Sequence, residues 1–447
     1  MKNFIESFKN VWKIEELKNR ILVTLGLLLV YRFGAHVTLP GIDATQLSGL
    51  SGQTKEGIGS ILDMFTGGAF SKASVFALGI MPYISASIVV QLMGIAIPYL
   101  QKLQKDGESG RKKINQITRW LTIGITLLQG PGYIFNLRQT IPDSAFLLGF
   151  DSFSFLFSSV LILTTGTIFA MWLGEKITDK GIGNGISLLI MVGILARLPQ
   201  ALIQEFTSRV TNDNGGLMIL VLELIVWLLV IIACILLVMA IRKIPVQYAR
   251  RTTTGDFEQD MMSGNRQWIP LKLNSAGVMP IIFAQAIMFI PAALAGISQS
   301  ETSQSIATTF SNMFGFWYNL VFATLIIVFT FFYTAITVPT NKMADDLKRS
   351  GGFIPGIKPG VETADFLDKI MSLVTFPGSL FLALIAIFPA IVVSFGVQQS
   401  WAMFYGGTSL IIMVGVAIDT IQQINSYLLN REYDGLMKSV KNRKAVA

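Results

Sequence analysis

The chain has 447 residues, of which 52% are apolar and only 14% are charged, and it carries a formal net charge of +8. A mean hydropathy of +0.58 and a charged share well below the roughly 25% of soluble domains exclude an ordinary soluble protein. A single cysteine and a single histidine exclude an internal disulfide and a multi-histidine metal centre.

Apolar stretches of about 20 residues, long enough to cross a hydrocarbon core of about 30 Å, recur along the whole chain. The first stretch follows basic residues but lacks a small-residue cleavage site, so we interpret it as a retained span. Together the stretches predict ten membrane spans, at roughly 21–39, 75–97, 120–137, 153–174, 183–203, 217–241, 275–297, 315–338, 370–396 and 401–424. Because the number of spans is even, both termini are expected on the same side of the membrane.

The predicted topology divides the basic residues unevenly between the two sides of the membrane. The side that holds the termini carries 29 of the 35 Lys and Arg residues, many of them in two large loops at 242–274 and 339–369. By the positive-inside rule this side is cytoplasmic. Topology alone explains much of this charge, but the loops also suit acidic partner surfaces, nucleic acid and anionic lipid.

A short amphipathic segment, 58–70, precedes the second span on the external side. It is bounded by glycines and is too short to cross the membrane. Two structures remain open for it. One is a half-helix at membrane depth that is buried in protein or lines a cavity, and the other is a helix that lies on the membrane surface.

Two motifs occur once in each half of the chain. Gly-x-Met-Pro-x-Ile stands at 79–84 in span two and at 277–282 in span seven, and a nine-residue apolar motif stands at 185–193 in span five and at 407–415 in span ten. Since each half has an odd number of spans, the second half must enter the membrane upside down. The pattern therefore predicts an inverted repeat, and such repeats tend to place the functional path at their interface.

The repeats place isoleucines at equivalent positions. Ile84 and Ile282 lie about ten residues into their predicted spans, or roughly 15 Å at the rise of an α-helix, which is half the thickness of the hydrocarbon core. Ile190 and Ile412, which match each other in the second motif, also fall near mid-depth, and Ile80 and Ile186 lie one helical turn before Ile84 and Ile190. The full set is Ile80, Ile84, Ile186, Ile190, Ile282 and Ile412. These side chains either pack in the core and against lipid, or form a narrow dry constriction that gates by dewetting.

Ionisable residues inside the predicted spans lie near the span ends. Arg32 and His36 are close to the external end of span one, and we expect both to snorkel to the interface. Glu223 and Asp419 are close to the ends of spans six and ten. No acid is predicted to pair with a base at mid-depth, which counts against an ion-coupled transporter. The run Gly-Ile-Gly-Asn-Gly at 181–185 matches a dinucleotide fingerprint only superficially, because it opens a membrane helix and follows no strand.

Longer motifs carry a family resemblance. They stand at 76–87, 181–187, 270–274, 353–360 and 405–409. In this order and spacing they resemble the SecY family, the channel subunits of the bacterial general protein-export translocon, over about 15–430 of the chain. The resemblance departs at two places. Lys358 stands where the family usually has arginine, and the loop tip at 255–260 is acidic where relatives often carry arginines.

The resemblance implies an all-α polytopic membrane protein in which ten transmembrane helices form two inverted five-helix halves around a central hourglass pore with a short plug helix. The expected parts are an N-terminal half (1–203) with a plug at about 58–71, an external hinge (204–216), a C-terminal half (217–428) and a cytoplasmic tail (429–447).

The resemblance also assigns roles to individual residues. The six isoleucines named above correspond to the family's pore ring. Plug residues are Ile61, Leu62, Met64 and Phe65. Lateral-gate residues, between spans two and three and spans seven and eight, are Ser85, Ser87, Gln91, Phe283 and Gln285. Residues that dock cytoplasmic partners are Arg250, Arg251, Lys348, Arg349 and Lys358.

The function that the resemblance implies is a passive conduit in the bacterial inner membrane, with both termini cytoplasmic. It moves unfolded polypeptides across the membrane and releases apolar segments sideways into lipid. The implied partners are the small membrane subunits SecE and SecG, the SecA motor ATPase, the ribosome, preproteins with signal peptides, and lipids. No enzymatic activity, cofactor or metal is expected. The alternative is a small-solute secondary transporter with inverted repeats.

Overall fold

A computed structural model of the chain describes residues 12, 14–47, 58–142, 145–146, 152–211, 216–248, 266–295 and 312–446. The chain divides into two compact units. The first unit comprises Met1–Thr211, Gln399–Trp401 and Val416–Ala447, and the second comprises Asn212–Gln398 and Ala402–Gly415. The predicted hinge at 204–216 is helical up to Thr211, and 212–215 lie outside the described residues.

Seven α-helices lie before residue 212 in the part of the chain that the structure describes. They are α1 (Glu15–Gly34), α2 (Ile58–Phe65), α3 (Met81–Ala96), α4 (Pro98–Lys105), α5 (Gly107–Thr140), α6 (Ser152–Lys180) and α7 (Gly185–Thr211). The remaining elements are α8 (Gly216–Met239), β1 (Ile241–Tyr248), β2 (Arg266–Lys272), α9 (Met279–Ala295), α10 (Phe316–Thr337), α11 (Thr340–Arg349), β3 (Gly352–Phe353), α12 (Val361–Ser394), α13 (Gln399–Ala402) and α14 (Gly407–Val446).

Every predicted span overlaps a helix, but not every such helix meets the requirements of a membrane span. By length and composition, six helices in the described part of the chain are long and apolar enough, or seven if the bent pair α3 and α4 counts as one span. The helices α3 and α9 have only 16 and 17 residues. The first half of α5 is polar, with the sequence Gly-Glu-Ser-Gly-Arg-Lys-Lys at its start.

The first sequence repeat produces the same local structure twice. Gly79 has φ +53° and Gly277 has φ +64°, a left-handed conformation that glycine adopts without strain. In both copies a helix begins two residues later, at Met81 and at Met279, with proline as its second residue. Proline suits this position because the first helical N–H groups have no intrahelical acceptor. The spans predicted from 75 and 275 therefore begin with turns.

Proline also ends α3. Ile97 is extended, with φ −101° and ψ +116°, and Pro98 begins α4. The ring of a proline clashes with a helical conformation of the preceding residue, so the helix direction changes here. The predicted end of span two at 97 agrees with this break.

The core of the first unit joins the loop after α1 to the C-terminal end of α5 and the N-terminal part of α6. Leu39 N–H donates to Ala73 O (2.8 Å), Val75 N–H donates to Val37 O (2.9 Å), and isolated β-bridges add to these contacts. The fully buried side chains packed there include Leu39, Ala73, Ala77, Ile134, Leu137, Phe155 and Leu163. The turn segment that leads into α3 is therefore fixed by backbone hydrogen bonds as well as by apolar packing.

The second unit contains a small β-sheet, so the expectation of an all-α protein is wrong in this respect. Strands β2, β1 and β3 form an antiparallel sheet in that order, with Ile244 opposite Ile269 and Gln247 opposite Phe353. Buried Ile244 and Val246 alternate with exposed residues along β1, as expected of a half-buried strand. The charge pattern predicts only basic docking loops here, because the alternation of buried and exposed residues in β1 is short.

The sheet is stabilised by a core of its own. Side chains of β1 and β2 pack against α11 and the first turns of α12, and the buried members are Ile244, Val246, Leu271, Leu347, Ile354, Leu367 and Met371. The described parts of these two loops, 242–248 with 266–274 and 339–369, are thereby joined into one module, which we call the loop module. The sheet and its core therefore fix the backbone that carries the exposed cations of this module.

Close backbone packing between α6 and the segment before α3 predicts an effect on stability. A Cβ at Gly166 would overlap the carbonyl oxygen of Val75, whereas a Cβ at Gly124 on α5 meets no described atom within 4 Å. We expect Gly166→Ala to lower the free energy of unfolding by about 1–3 kcal/mol, as overpacking does. Gly124→Ala, the matched control, should leave it unchanged or raise it slightly. Thermal unfolding in detergent measures both, and equal midpoints would contradict the packing.

Candidate pore and plug site

In the first unit, two isoleucines of the predicted ring lie one turn apart at the start of α3. Ile84 N–H donates to Ile80 O (3.1 Å), and both side chains are buried. Ile84 is the fourth residue of α3, because the six residues before Met81 form turns and the helix begins at Met81. The estimate of its depth from about ten helical residues is therefore wrong, since only three residues of helix precede it.

The equivalence of the repeats survives this correction. Ile282 is the fourth residue of α9, as Ile84 is of α3. Ile190 and Ile412 are each the sixth residue of their helices, α7 and α14, and both side chains are buried. Within each unit the structure thus places the matching isoleucines at matching helical positions, and Ile282 is half-buried.

Ile186 differs from the other members of the predicted ring. It is half-buried, and its Cγ1 lies against Gly174 of α6, at 2.9 Å from the position of a Cβ there. Part of this side chain therefore packs between α6 and α7. Gly174 provides the space for this contact.

The predicted plug helix is α2, and its C-terminal end packs against α7. A Cβ at Gly193 of α7 would stand 2.6 Å from Phe65 O, so only glycine allows this approach. Phe65 is buried and Met64 is half-buried. The side chains of Ile61 and Leu62 lie outside the described residues. These contacts favour a half-helix held by protein over a helix on the membrane surface.

The two copies of the second repeat differ at this contact. Gly193 ends the first copy and touches α2, whereas Gly415 ends the second copy and has no described atom within 4 Å of a Cβ. The repeated glycine thus has a partner only in the first unit, among the residues that the structure describes.

Polar contacts also hold α2 and the turn that follows it, and the sequence analysis missed them. Asp63 of α2 forms an ion pair with Arg197 of α7. Arg32 Nη1 donates to Gly67 O (2.7 Å), so the guanidinium of this residue bonds the turn after α2, a contact that the expectation of snorkelling does not include. The available signal was Arg197 itself, since a cation within an apolar helix is a functional candidate by default.

The predicted gate residues fall into two groups, one in each unit. On α3, Ser85, Ser87 and Gln91 are half-buried, and Gln91 Nε2 donates to Ser87 Oγ (3.4 Å). On α9, Phe283 is buried and Gln285 is half-buried. The ring of Phe283 contacts the rings of Phe329 and Tyr333 on α10, at centroid distances of 5.8 and 6.1 Å.

The predicted docking residues belong to the loop module as far as the structure describes them. Lys348 and Arg349 are exposed in the last turn of α11, and Lys358 is exposed and 3.6 Å from Glu362 Oε1. Arg250, Arg251 and the acidic tip at 255–260 lie outside the described residues.

The glycine-rich loop at 181–185 is no phosphate cradle, because side chains occupy its N–H groups. Thr24 Oγ1 accepts from Ile182 N–H (3.0 Å), Gln423 Oε1 from Gly183 N–H (2.9 Å) and Thr178 Oγ1 from Gly185 N–H (2.9 Å). In the described part of the chain there is also no cluster of three or more His, Cys, Asp or Glu side chains that could hold a metal.

Comparison with known proteins agrees with this architecture. The family model of SecY matches residues 74–421. The protein translocase subunit SecY of Streptomyces scabiei is 38% identical over 445 residues, which cover 97% of this chain and 100% of that protein. The chain belongs to the SecY family. The expectation of a SecY-type protein translocase subunit is confirmed, and the alternative of a small-solute transporter is not favoured.

Solved structures of this family share the fold. One is a SecY channel whose plug domain stabilises the closed state of the translocation channel and maintains a membrane seal, with a TM-score of 0.57, 16% identity and 92% coverage of each chain. Another is Sec61 in the canine ribosome-channel complex from the endoplasmic reticulum, with a TM-score of 0.55, 14% identity and 92% coverage of each chain. At these identities the likeness shows the fold alone.

The contact between α2 and α7 predicts different effects of one substitution at the two repeated glycines. Gly193→Ala should push α2 away, because the added Cβ meets a backbone oxygen, and Gly415→Ala should not. The position of α2 can be followed by labelling Met64→Cys with a membrane-impermeant maleimide, in a chain whose own cysteine is removed by Cys234→Ser. Adding Gly193→Ala should raise the labelling rate several-fold above that of the chain without it, because overpacking destabilises the close contact. Equal labelling with both alanine variants would contradict the close contact.

Proposed function

We propose that this SecY-family chain forms the pore of a protein-conducting channel, with ten spans in two inverted five-helix halves hinged near 204–216. The waist of the hourglass is the ring of six isoleucines. The observation that carries this proposal is the agreement between the repeats. The motifs at 79–84 and 277–282 begin their helices in the same way, and the matching isoleucines occupy the same helical positions.

Isoleucine suits a constriction through which varied sequences must move. The side chain is stiff at χ1 and has no polar atom to hold water or an ion, so a narrow ring of such residues excludes both. It also offers a passing polypeptide no hydrogen bond, and weak contacts allow movement. The chain acts as a conduit without catalysis of its own, and the energy comes from a motor ATPase or from the ribosome.

In this proposal α2 is the plug that closes the external side of the pore at rest. Its contact with Gly193 of α7 supports this role, and so does the solved SecY channel whose plug domain maintains a membrane seal. Movement of α2 away from α7 would open the aqueous path while leaving the rest of the first unit in place.

Apolar segments leave the pore sideways between spans two and three and spans seven and eight. The proposed gate residues differ in character on the two sides. Those of α3 are all polar, and Gln91 donates to Ser87, whereas α9 carries Phe283, which packs on aromatic rings of α10, beside the polar Gln285. Polar groups that water can hydrate and an aromatic ring that lipid can contact suit a seam that opens.

The loop module is the proposed docking site for the ribosome and for the SecA motor, with both termini in the bacterial cytoplasm and SecE and SecG as membrane partners. Support comes from the exposed cations of a fixed module and from the ribosome-bound Sec61 channel of the same fold. Positive charge on a rigid surface attracts acidic proteins and RNA.

The isoleucine ring is tested by polar replacement on both repeats at once. In planar bilayers we expect Ile84→Asn with Ile282→Asn to raise the resting ion conductance by about tenfold or more, because polar side chains hold water in the constriction. The matched control is Val89→Asn with Ile287→Asn on the same two helices, where the side chains are exposed. A double variant that conducts no more than the control would contradict the ring.

Uptake of a small solute by the unmodified chain would instead support a transporter.

Docking on the loop module is tested by charge removal. Lys348→Ala with Arg349→Ala should weaken ribosome binding by about tenfold at moderate salt and should flatten its salt dependence, since fewer counterions are released. Lys112→Ala with Lys113→Ala removes the same charge from exposed positions on α5 and serves as the control. Equal losses in both variants would show that net charge alone governs binding.

A further inference from the structure

Asp63 of α2 is held by two groups at once. Its carboxylate, only 5% exposed, pairs through Oδ2 with Arg197 Nη2, and its Oδ1 accepts from Ser71 N–H (2.8 Å). The same guanidinium nitrogen donates to Ser71 Oγ (3.0 Å). These three residues therefore form a closed set of polar contacts between α7, α2 and the turn after α2.

A second cation reaches the same turn from another helix. Arg32 of α1 donates through Nη1 to Gly67 O (2.7 Å). Gly67 has φ +65°, and a Cβ there would stand 2.8 Å from both Arg32 Nη1 and Gly193 Cα. The turn is thus enclosed by α1 on one side and α7 on the other, and glycine is required at its centre.

The packing contact and the polar contacts differ in how their energy changes when α2 moves away from α7. The close contact between the backbone at Gly193 and the backbone of Phe65 and Gly67 weakens gradually with distance. Separation of Asp63 from Arg197, by contrast, leaves a nearly buried carboxylate without its partner, and this is strongly unfavourable until water reaches it. Any movement of α2 away from α7 must break the ion pair.

We propose that Asp63, Arg197 and Ser71, assisted by Arg32, form a latch that positions α2 against α7 in the resting state. This inference rests on the proposed role of α2 as the plug. The four residues are positioning residues, because they act on the conduction path through the placement of α2. The residues that close the path are the isoleucines and α2 itself, and the latch determines how much of the time α2 stays in place.

The latch is tested by a double-mutant cycle in the full-length chain, co-purified with its membrane partners and reconstituted in planar bilayers. Asp63→Asn and Arg197→Gln each leave one charge without its partner, and each should raise the frequency of resting openings by about tenfold. The double variant removes both charges and should open less often than either single variant, since two amides can still bond each other.

Arg138→Gln is the control. It removes a cation that the predicted topology places on the same external side, at an exposed position in the last turn of α5, where its guanidinium lies over the rings of Phe146 and Phe155. It should conduct like the unmodified chain. Labelling of Met64→Cys in the Cys234→Ser background should follow the same order as the openings, which a change in ion attraction by charge alone would not produce.

Two results overturn the latch. The first is that the single variants open no more often than Arg138→Gln. The second is that the double variant raises the opening frequency by the product of the two single-variant increases, which would show that the two side chains do not interact. If the charge variants fail to accumulate, Ser71→Ala and Arg197→Lys keep both charges and should still open several-fold more often, and silence in both overturns the proposal.

The Ile84 and Ile282 double variant in the same bilayers separates the two proposals. If it conducts while the latch variants are silent, only the latch fails, and if it is silent as well, the pore itself fails.

Discussion

Irregular backbone in a membrane protein must find its hydrogen bonds within the protein, and the segment between α2 and α3 depends on this constraint. Its carbonyl and N–H groups bond to neighbouring elements on several sides. Tyr133 Oη donates to Phe70 O (2.9 Å), Arg32 donates to Gly67 O, and the loop after α1 pairs with the residues around Ser74. Because this segment is fixed, the start of α3 is fixed, and with it the position of Ile80 and Ile84.

Internal repeats supply equivalent helices, but the two copies serve different contacts. The first residues of α3 and α9 repeat each other closely, down to the left-handed glycine and the proline that follows methionine. The two copies of the second motif differ in the contacts of their last glycine. α2 packs against α7 at Gly193, whereas no described atom lies within 4 Å of a Cβ at Gly415. Sequence symmetry therefore identifies shared architecture, whereas the functional contacts arise where the symmetry is broken.

Much of the helical architecture follows from the sequence, because apolar runs, proline and glycine act locally. Ile97 and Pro98 mark the end of α3, and the paired motifs mark the helix starts. The depth of Ile84 could not be derived, since turns and helix rise by different amounts per residue and six apolar residues before Met81 form turns. The small sheet was missed because a few alternating residues carry a weak signal beside many basic ones. The contacts of Asp63 and Arg197 join distant positions, which a single sequence does not reveal.

An apolar constriction has a consequence for the resting state of a channel. On the proposed function, the isoleucine ring must not bind any passing sequence tightly, so its own contacts are weak and offer little to hold the path closed. Strong directional contacts are then best placed beside the path, where they act on the plug and not on the substrate. The proposed latch has this arrangement, since Arg197 pairs with Asp63 of α2 and Arg32 donates to the turn after α2, both through charge-assisted contacts. Non-adhesive conduction and secure closure thus become separate properties of separate residues, and either can change without loss of the other.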